Sequence, residues 1–95
     1  MPKTIHRYEY ELLRGMLREL RVAAGMSQTA VSEGMGRSQS FVSDIERGVR
    51  RLDAIELRDV CLLLGTSLPD FLDVLEQRIS SQNRASAKRR KPSRA

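Results

Sequence analysis

Residues 27–48, SQTAVSEGMGRSQSFVSDIERG, constrain the local structure of this chain more than any other stretch. Ser27 is suited to a helix N-cap, because its side-chain oxygen can accept a free backbone N–H of the first turn. A helix begun there runs to about Met35. Gly36 lets the chain turn sharply where other residues would be strained. A second helix starts near Ser38, continues through Gln39 and Ser40, and stops at Gly48. The expectation is two short helices hinged at a tight glycine turn.

The flanking sequence supplies three more helices. Leu13, Leu17 and Leu20, widened by Leu12 and Met16, form an apolar stripe at helical spacing over about Arg7–Ala24, and Gly25 ends it. In the short helices, Val31 and Met35 face inward on one, and Val42 with Ile45 on the other. Asp53 is a plausible N-cap for a fourth helix reaching Leu64. Its broad apolar face (Ile55, Leu57, Val60, Cys61, Leu64) predicts burial on most sides, and Gly65 ends it. A fifth helix begins after Ser67 with Pro69 and Asp70 in its first turn, a favourable start. Leu68, Phe71, Leu72, Leu75 and Ile79 continue it. From about Ser80 the apolar pattern stops, and residues 80–95 read as a flexible, disordered basic tail.

Composition narrows the function classes. Aromatic residues make up 4% of the chain and there is no Trp, so aliphatic side chains must build the core. A single cysteine, Cys61, excludes an intrachain disulfide and reads as a small core residue. No apolar run reaches the roughly 20 residues of a membrane span. The first 15 residues lack the apolar core of a signal peptide, so a cytoplasmic location without membrane association is expected. The net charge of +5 is unevenly spread. Residues 78–95 carry seven Lys/Arg and no acid, which leaves ten of the 17 bases against all 12 acids in residues 1–77. Any nucleic-acid reading of the folded part therefore rests on local charge. Arg37, Arg47, Arg50 and Arg51 supply it, against Asp44 and Glu46.

Two helices joined by a short glycine-containing turn make the DNA-binding helix-turn-helix. With the surrounding segments LRELRVAAGMSQ (17–28), MGRSQSFVSDIERG (35–48) and RRLDAIELRDVCLLLGTSLPDFL (50–72), the chain resembles the phage repressor/Cro-type (Xre-like) helix-turn-helix domains. The resemblance implies an all-α, five-helix bundle of the lambda-repressor-like DNA-binding type over residues 7–77. The helix-turn-helix unit then spans about 27–48, and a dimerisation helix about 68–79. Two departures stand out. Val31-Ser32 replaces the usual Leu-Ala, and Gly34 sits where the family seldom has glycine.

The outer stripe of the second short helix would enter the major groove, whose width admits one helix. By resemblance, Ser38, Gln39, Ser40 and Asp44 occupy positions that touch bases, and Ser43 shares their face. Gln39 suits bidentate bonding to adenine, while Asp44 suits cytosine N4 or the exclusion of wrong sites. Phosphate contacts are expected from Gln28 at a helix N-terminus and from Arg37, Arg47, Arg50 and Arg51. Phe41 has two readings, core packing or contact with a thymine methyl. By resemblance, Arg21 and Glu46 form a partly buried ion pair joining the first helix to the end of the reading helix.

One reading helix covers few base pairs, so a two-fold homodimer with reading helices about 34 Å apart is expected. The stripe of the fifth helix has two readings, which can hold for different residues. It closes the core, with Leu68 and Leu72 against the fourth helix, or it leaves Phe71, Leu75 or Ile79 exposed for a second subunit. Leu68, Phe71, Leu75 and Ile79 are the candidate dimer interface. The leading expectation is a transcriptional regulator, a repressor at an inverted-repeat operator in double-stranded DNA. The alternative is an antitoxin or adaptor whose last helix and tail bind a protein partner. The tail is either a solvated segment or a salt-sensitive nucleic-acid arm. No catalytic constellation is evident, and neither a metal nor another cofactor is expected. His6 has no Cys or carboxylate cluster at ligand spacing, and the methionines read as core filler.

Overall fold

The computed structural model describes the backbone of residues 7–89 and the side chains of residues 7–82. Among these residues the chain forms five helices and no strand: α1 Tyr8–Ala23, α2 Gln28–Gly34, α3 Ser40–Glu46, α4 Ala54–Leu63 and α5 Leu68–Arg89. His6 and residues 90–95, the last six of the sixteen residues expected to form the tail, lie outside the described residues.

The starts of three helices follow from short polar side chains. Ser27 Oγ accepts from the Ala30 N–H at 3.0 Å, which caps α2. Asp53 accepts from the Glu56 N–H at 2.7 Å while Glu56 Oε1 accepts from the Asp53 N–H at 3.0 Å. This reciprocal capping box fixes the start of α4. Ser67 Oγ accepts from the Asp70 N–H at 3.2 Å at the start of α5.

The reading-helix candidate α3 is shorter than its sequence implied. It begins at Ser40, so Ser38 and Gln39 belong to a five-residue turn, 35–39. Gln39 stands at the N-cap position without a side-chain cap bond. The capping group comes from α2 instead. Ser32, fully buried, accepts from the Val42 N–H at 3.0 Å, and its hydroxyl donates to the Gln39 carbonyl at 3.4 Å. The serine that departs from the family pattern thus holds the first turn of α3 against α2.

Glycine is required just past the end of each of these two short helices. Gly36 (φ 70°) and Gly48 (φ 81°) adopt the left-handed conformation just past α2 and α3. The paired bonds Gly36 N to Glu33 O and Arg37 N to Ser32 O, both 2.9 Å, close α2. Gly48 N to Ile45 O (3.0 Å) and Val49 N to Asp44 O (2.9 Å) close α3 in the same way.

The core gathers one face of every helix. Met16 and Leu17 of α1, Val31 of α2, Phe41, Val42 and Ile45 of α3, Leu57, Val60 and Cys61 of α4, and Phe71 and Leu75 of α5 are buried together. Cys61 is fully enclosed, and burial pushes its thiol up to about 11, so it is a packing residue with little thiolate character.

Three expectations are corrected. Phe71 (2% exposed) and Leu75 (8%) fill the core of this chain, because they face α1 and α4; Leu68 and Ile79 pack partly buried against the same cluster. The exposed apolar residues on α5 are Leu72 and Val74. Helix α4 is covered on one side only: Ile55, Leu62 and Leu63 of its apolar circumference are exposed. Finally, α5 continues ten residues past Ile79, through part of the stretch expected to be flexible. Residues 80–89, SSQNRASAKR, hold no Gly or Pro, and a helix already nucleated by packing propagates through them at small cost.

Gly34 marks a close approach between α2 and α4. A Cβ there would lie 2.8 Å from Leu63 Cδ2 and 3.2 Å from Cδ1. Alanine favours a helix over glycine by about 1 kcal/mol, so two effects oppose each other. Gly34→Ala is expected to leave thermal stability nearly unchanged, because Leu63 must shift. In a Leu63→Ala background it should stabilise by up to about 1 kcal/mol. Equal effects in both backgrounds would refute the contact.

Candidate nucleic-acid interface

The site is built around the end of α3. Glu46 is the last helical residue, and three N–H groups converge on its carboxylate. Arg21 of α1 donates from Nε to Oε2 at 2.7 Å and from Nη2 to Oε1 at 3.1 Å. Gln28, the first residue of α2, donates from Nε2 to Oε1 at 2.8 Å. Arg21 Nη1 also donates to the Met26 carbonyl at 2.9 Å. The forked guanidinium fixes direction as well as distance, so α1, α2 and α3 meet at one carboxylate, and the α1–α2 turn is tied to the same arginine. The ion pair implied by resemblance is present, with Gln28 as a third member.

A second arginine of α1 holds the backbone of the same residue. Arg14 Nη1 donates to the Glu46 carbonyl at 2.9 Å, meeting one of the free carbonyls at the end of α3. Its guanidinium lies against Gly48, where a Cβ would come within 3.1 Å of Arg14 Cζ. Arg14 and Arg21 are seven residues apart, two helical turns, so both reach from one face of α1. That spacing was the available signal for Arg14, which the sequence reading missed.

With its inner face buried and its end clamped, α3 presents the opposite side. Ser38, Gln39 and Ser40 are exposed, while Ser43 and Asp44 are half-buried. The hydroxyls of Ser38 and Ser40 lie 3.4 Å apart, and Ser43 Oγ donates to the Ser40 carbonyl at 3.1 Å. Arg47 Nη2 donates to Asp44 Oδ1 at 2.7 Å, so this candidate phosphate contact and this candidate base contact form one surface pair.

Arg37 and Arg50 are drawn together by a residue the sequence reading passed over. Arg37 Nη1 donates to Glu56 Oε2 at 2.8 Å. Arg50 Nη1 and Nη2 donate to Oε1 and Oε2 of the same carboxylate at 3.2 and 3.1 Å. Both guanidiniums also lie over the Phe41 ring, at 4.3 and 4.8 Å from its centre. Phe41 is 4% exposed, so its role is packing, and the thymine-methyl reading falls away. The hydrogen bonds from Arg50 and Arg37 hold the Glu56 carboxyl down from 4.5 to about 2. The spacing Asp53-x-x-Glu56 was the signal for Glu56, as a capping box.

Farther out, Arg51 Cζ stands 4.4 Å from the centre of the Tyr10 ring, and the Tyr10 hydroxyl donates to the Arg50 carbonyl at 3.4 Å. Tyr10 thereby links α1 to the segment after α3. The described residues hold no cluster of His, Cys, Asp or Glu that could bind a metal, and none of their helices is long and apolar enough to cross a membrane.

Comparison with known proteins agrees with this geometry. Residues 17–71 match the helix-turn-helix family model HTH_3. An XRE-family like protein from Pseudomonas syringae pv. tomato str. DC3000 is 44% identical, aligns over 79% of this chain and 92% of its own, and superposes with a TM-score of 0.73. The clp gene regulator ClgR from Corynebacterium glutamicum is 28% identical over 79% of this chain and 96% of its own, with a TM-score of 0.66. The restriction-modification controller protein C.Esp1396I, seen as a tetramer with its natural 35 base-pair operator, shares the fold at 22% identity. It aligns over 78% of this chain and 97% of its own, with a TM-score of 0.69. No curated protein matches the sequence.

Two outcomes follow. Truncating Arg21 to Ala strands the Glu46 carboxylate in a largely buried position and should cost about 3–5 kcal/mol in chemical denaturation; a loss below about 1 kcal/mol would demote the pair to a surface bridge. For Glu56 the folded pKa is depressed, so its contribution to stability is complete above about pH 4.5 and disappears as the pH falls toward about 2. Glu56→Gln should therefore flatten the acid limb of a stability-versus-pH curve in that window. An unchanged limb would show that Glu56 does not carry it.

Proposed function

This chain belongs to the XRE-type helix-turn-helix family and is a DNA-binding transcriptional regulator; from that premise we propose that it is a repressor acting as a homodimer on an inverted-repeat operator. The observation that carries the reading is the two-sidedness of α3. Phe41, Val42 and Ile45 are locked into the core, whereas Ser38, Gln39 and Ser40 are exposed at its leading end. The Glu46 cluster fixes the pitch at which that end projects.

In this reading Gln39 bonds an adenine edge, and Ser38, Ser40 and Ser43 bond bases or adjacent phosphate oxygens. The Asp44–Arg47 pair opens or stays closed according to the base it faces, which disfavours wrong sites. Gln28 has a second amide N–H beyond the one given to Glu46, and that N–H serves a phosphate while the first anchors α3. Arg37, Arg47, Arg50 and Arg51 neutralise phosphates on either side of α3 and set the docking register. Dimerisation uses the side of α5 that carries the exposed Leu72, with the partly buried Leu68 and Ile79 beside it at helical spacing. Repression follows from occupying a promoter.

Selection of bound sequences from random duplex DNA with the full chain tests this. The expected product is a palindrome with half-sites about 10 base pairs apart, centre to centre. Gln39→Ala should lower discrimination at one position of each half-site by about 1–3 kcal/mol and leave the others intact. Recovery of no palindrome, or an unaltered motif with Gln39→Ala, would overturn the assignment of α3 as the reading helix.

A further inference from the structure

Two of the cations beside α3 are already partnered before any DNA arrives, and by one carboxylate. Arg37 precedes α3, Arg50 follows it, and Glu56 lies on α4, yet the three meet at Phe41 in the first turn of α3. Glu56 accepts from both guanidiniums at 2.8–3.2 Å and from the Asp53 N–H at 3.0 Å, so its oxygens have four donors. The ring of Phe41 carries both guanidiniums at 4.3 and 4.8 Å. The arginine side chains remain 37% and 34% exposed while that of Glu56 is 17% exposed. The cations therefore face solvent and the carboxylate sits behind them.

We propose that Glu56 is a specificity-determining residue, which joins Arg37 and Arg50 into one preset unit of net charge +1 and so limits binding to DNA that lacks the operator. This rests on the operator-binding reading above. Two free arginines would neutralise two phosphates of any duplex. Sequence-independent affinity grows with each phosphate neutralised, and so does its dependence on salt. A fixed carboxylate behind the pair offsets one of those charges on every sequence alike. On the operator, base contacts hold α3 in one register, so the guanidiniums aimed by Glu56 meet phosphates in place and offset the lost charge; on other DNA no register is held and only the lost charge counts. The same carboxylate fixes where the two guanidiniums point, which ties phosphate register to the start of α3.

The test uses the full chain and two labelled duplexes of equal length, one carrying the selected operator and one with that sequence scrambled, titrated from 50 to 200 mM salt. Glu56→Gln preserves a side chain able to serve the capping box. Removing its charge should tighten the scrambled duplex roughly threefold to tenfold and steepen the log–log salt slope by about 0.9 per protomer. The ratio of operator to scrambled affinity should fall. Adding Arg37→Gln to Glu56→Gln restores a net charge of +1 and should return the slope to that of the wild type.

An unchanged slope and scrambled affinity in Glu56→Gln would overturn the proposal. Equal weakening on both duplexes would do so too, since it would make Glu56 a scaffold only. If Glu56→Gln fails to fold, Arg37→Gln alone decides. It leaves the unit neutral and should flatten the slope by about 0.9 while raising the operator ratio; no change refutes the assignment. Absence of operator binding by the wild type would strike the operator reading itself, and the role of Glu56 with it.

Discussion

The carboxylate of Glu46 is the point on which the architecture hangs. Two of the three helices that meet there, α2 and α3, are only seven residues each. Helices of that length are not stable alone. Packing of Val31, Val42 and Ile45 gives them adhesion, but apolar contact is tolerant of small rotations. The forked bond from Arg21 and the bond from Gln28 are not, because each oxygen of Glu46 is approached along a defined direction. Arg14 adds a bond to the carbonyl of the same residue. One side chain and its own backbone thus convert a loosely adhering trio into a fixed frame.

Much of this was readable from the residues. The helix count, the capping by Ser27 and Asp53, the glycine stops and the inward placement of Val42 and Ile45 follow from local rules and periodicity. What was not readable depends on which of several apolar faces finds a partner. Phe71 and Leu75 lie on a stripe that could serve either the core or a second subunit, and the core took them because α1 lies across that face. Helix α4 carries apolar residues on more than one side, so periodicity could not say that Ile55 and Leu62 stay outside. The extent of α5 was missed for another reason. Loss of apolar pattern ends burial but does not end a helix whose residues all tolerate helical geometry.

The candidate interface divides in the same way. Exposure of Gln39 and Ser40 was legible, since it is the complement of the buried face. Pairing of the cations was not. Arg37, Arg50 and Glu56 are separated by up to 19 positions, and counting arginines near α3 treats each as a free charge. In the folded chain Arg37 and Arg50 share Glu56, and Arg47 is joined to Asp44. The electrostatic character of this face is thus set less by how many bases it carries than by where its few acids stand.

The hydroxyl of Ser32 reaches beyond α2. By receiving the Val42 N–H, it puts the first turn of α3 under the control of a neighbouring helix. The Val42 amide cannot open to solvent unless α2 and α3 separate, so α3 cannot fray from its leading end on its own. The two short helices therefore form one cooperative opening unit, and slow amide hydrogen exchange at Val42 would rise and fall with exchange in α2. A surface helix that must enter a groove without unravelling gains its rigidity from a buried serine one element away.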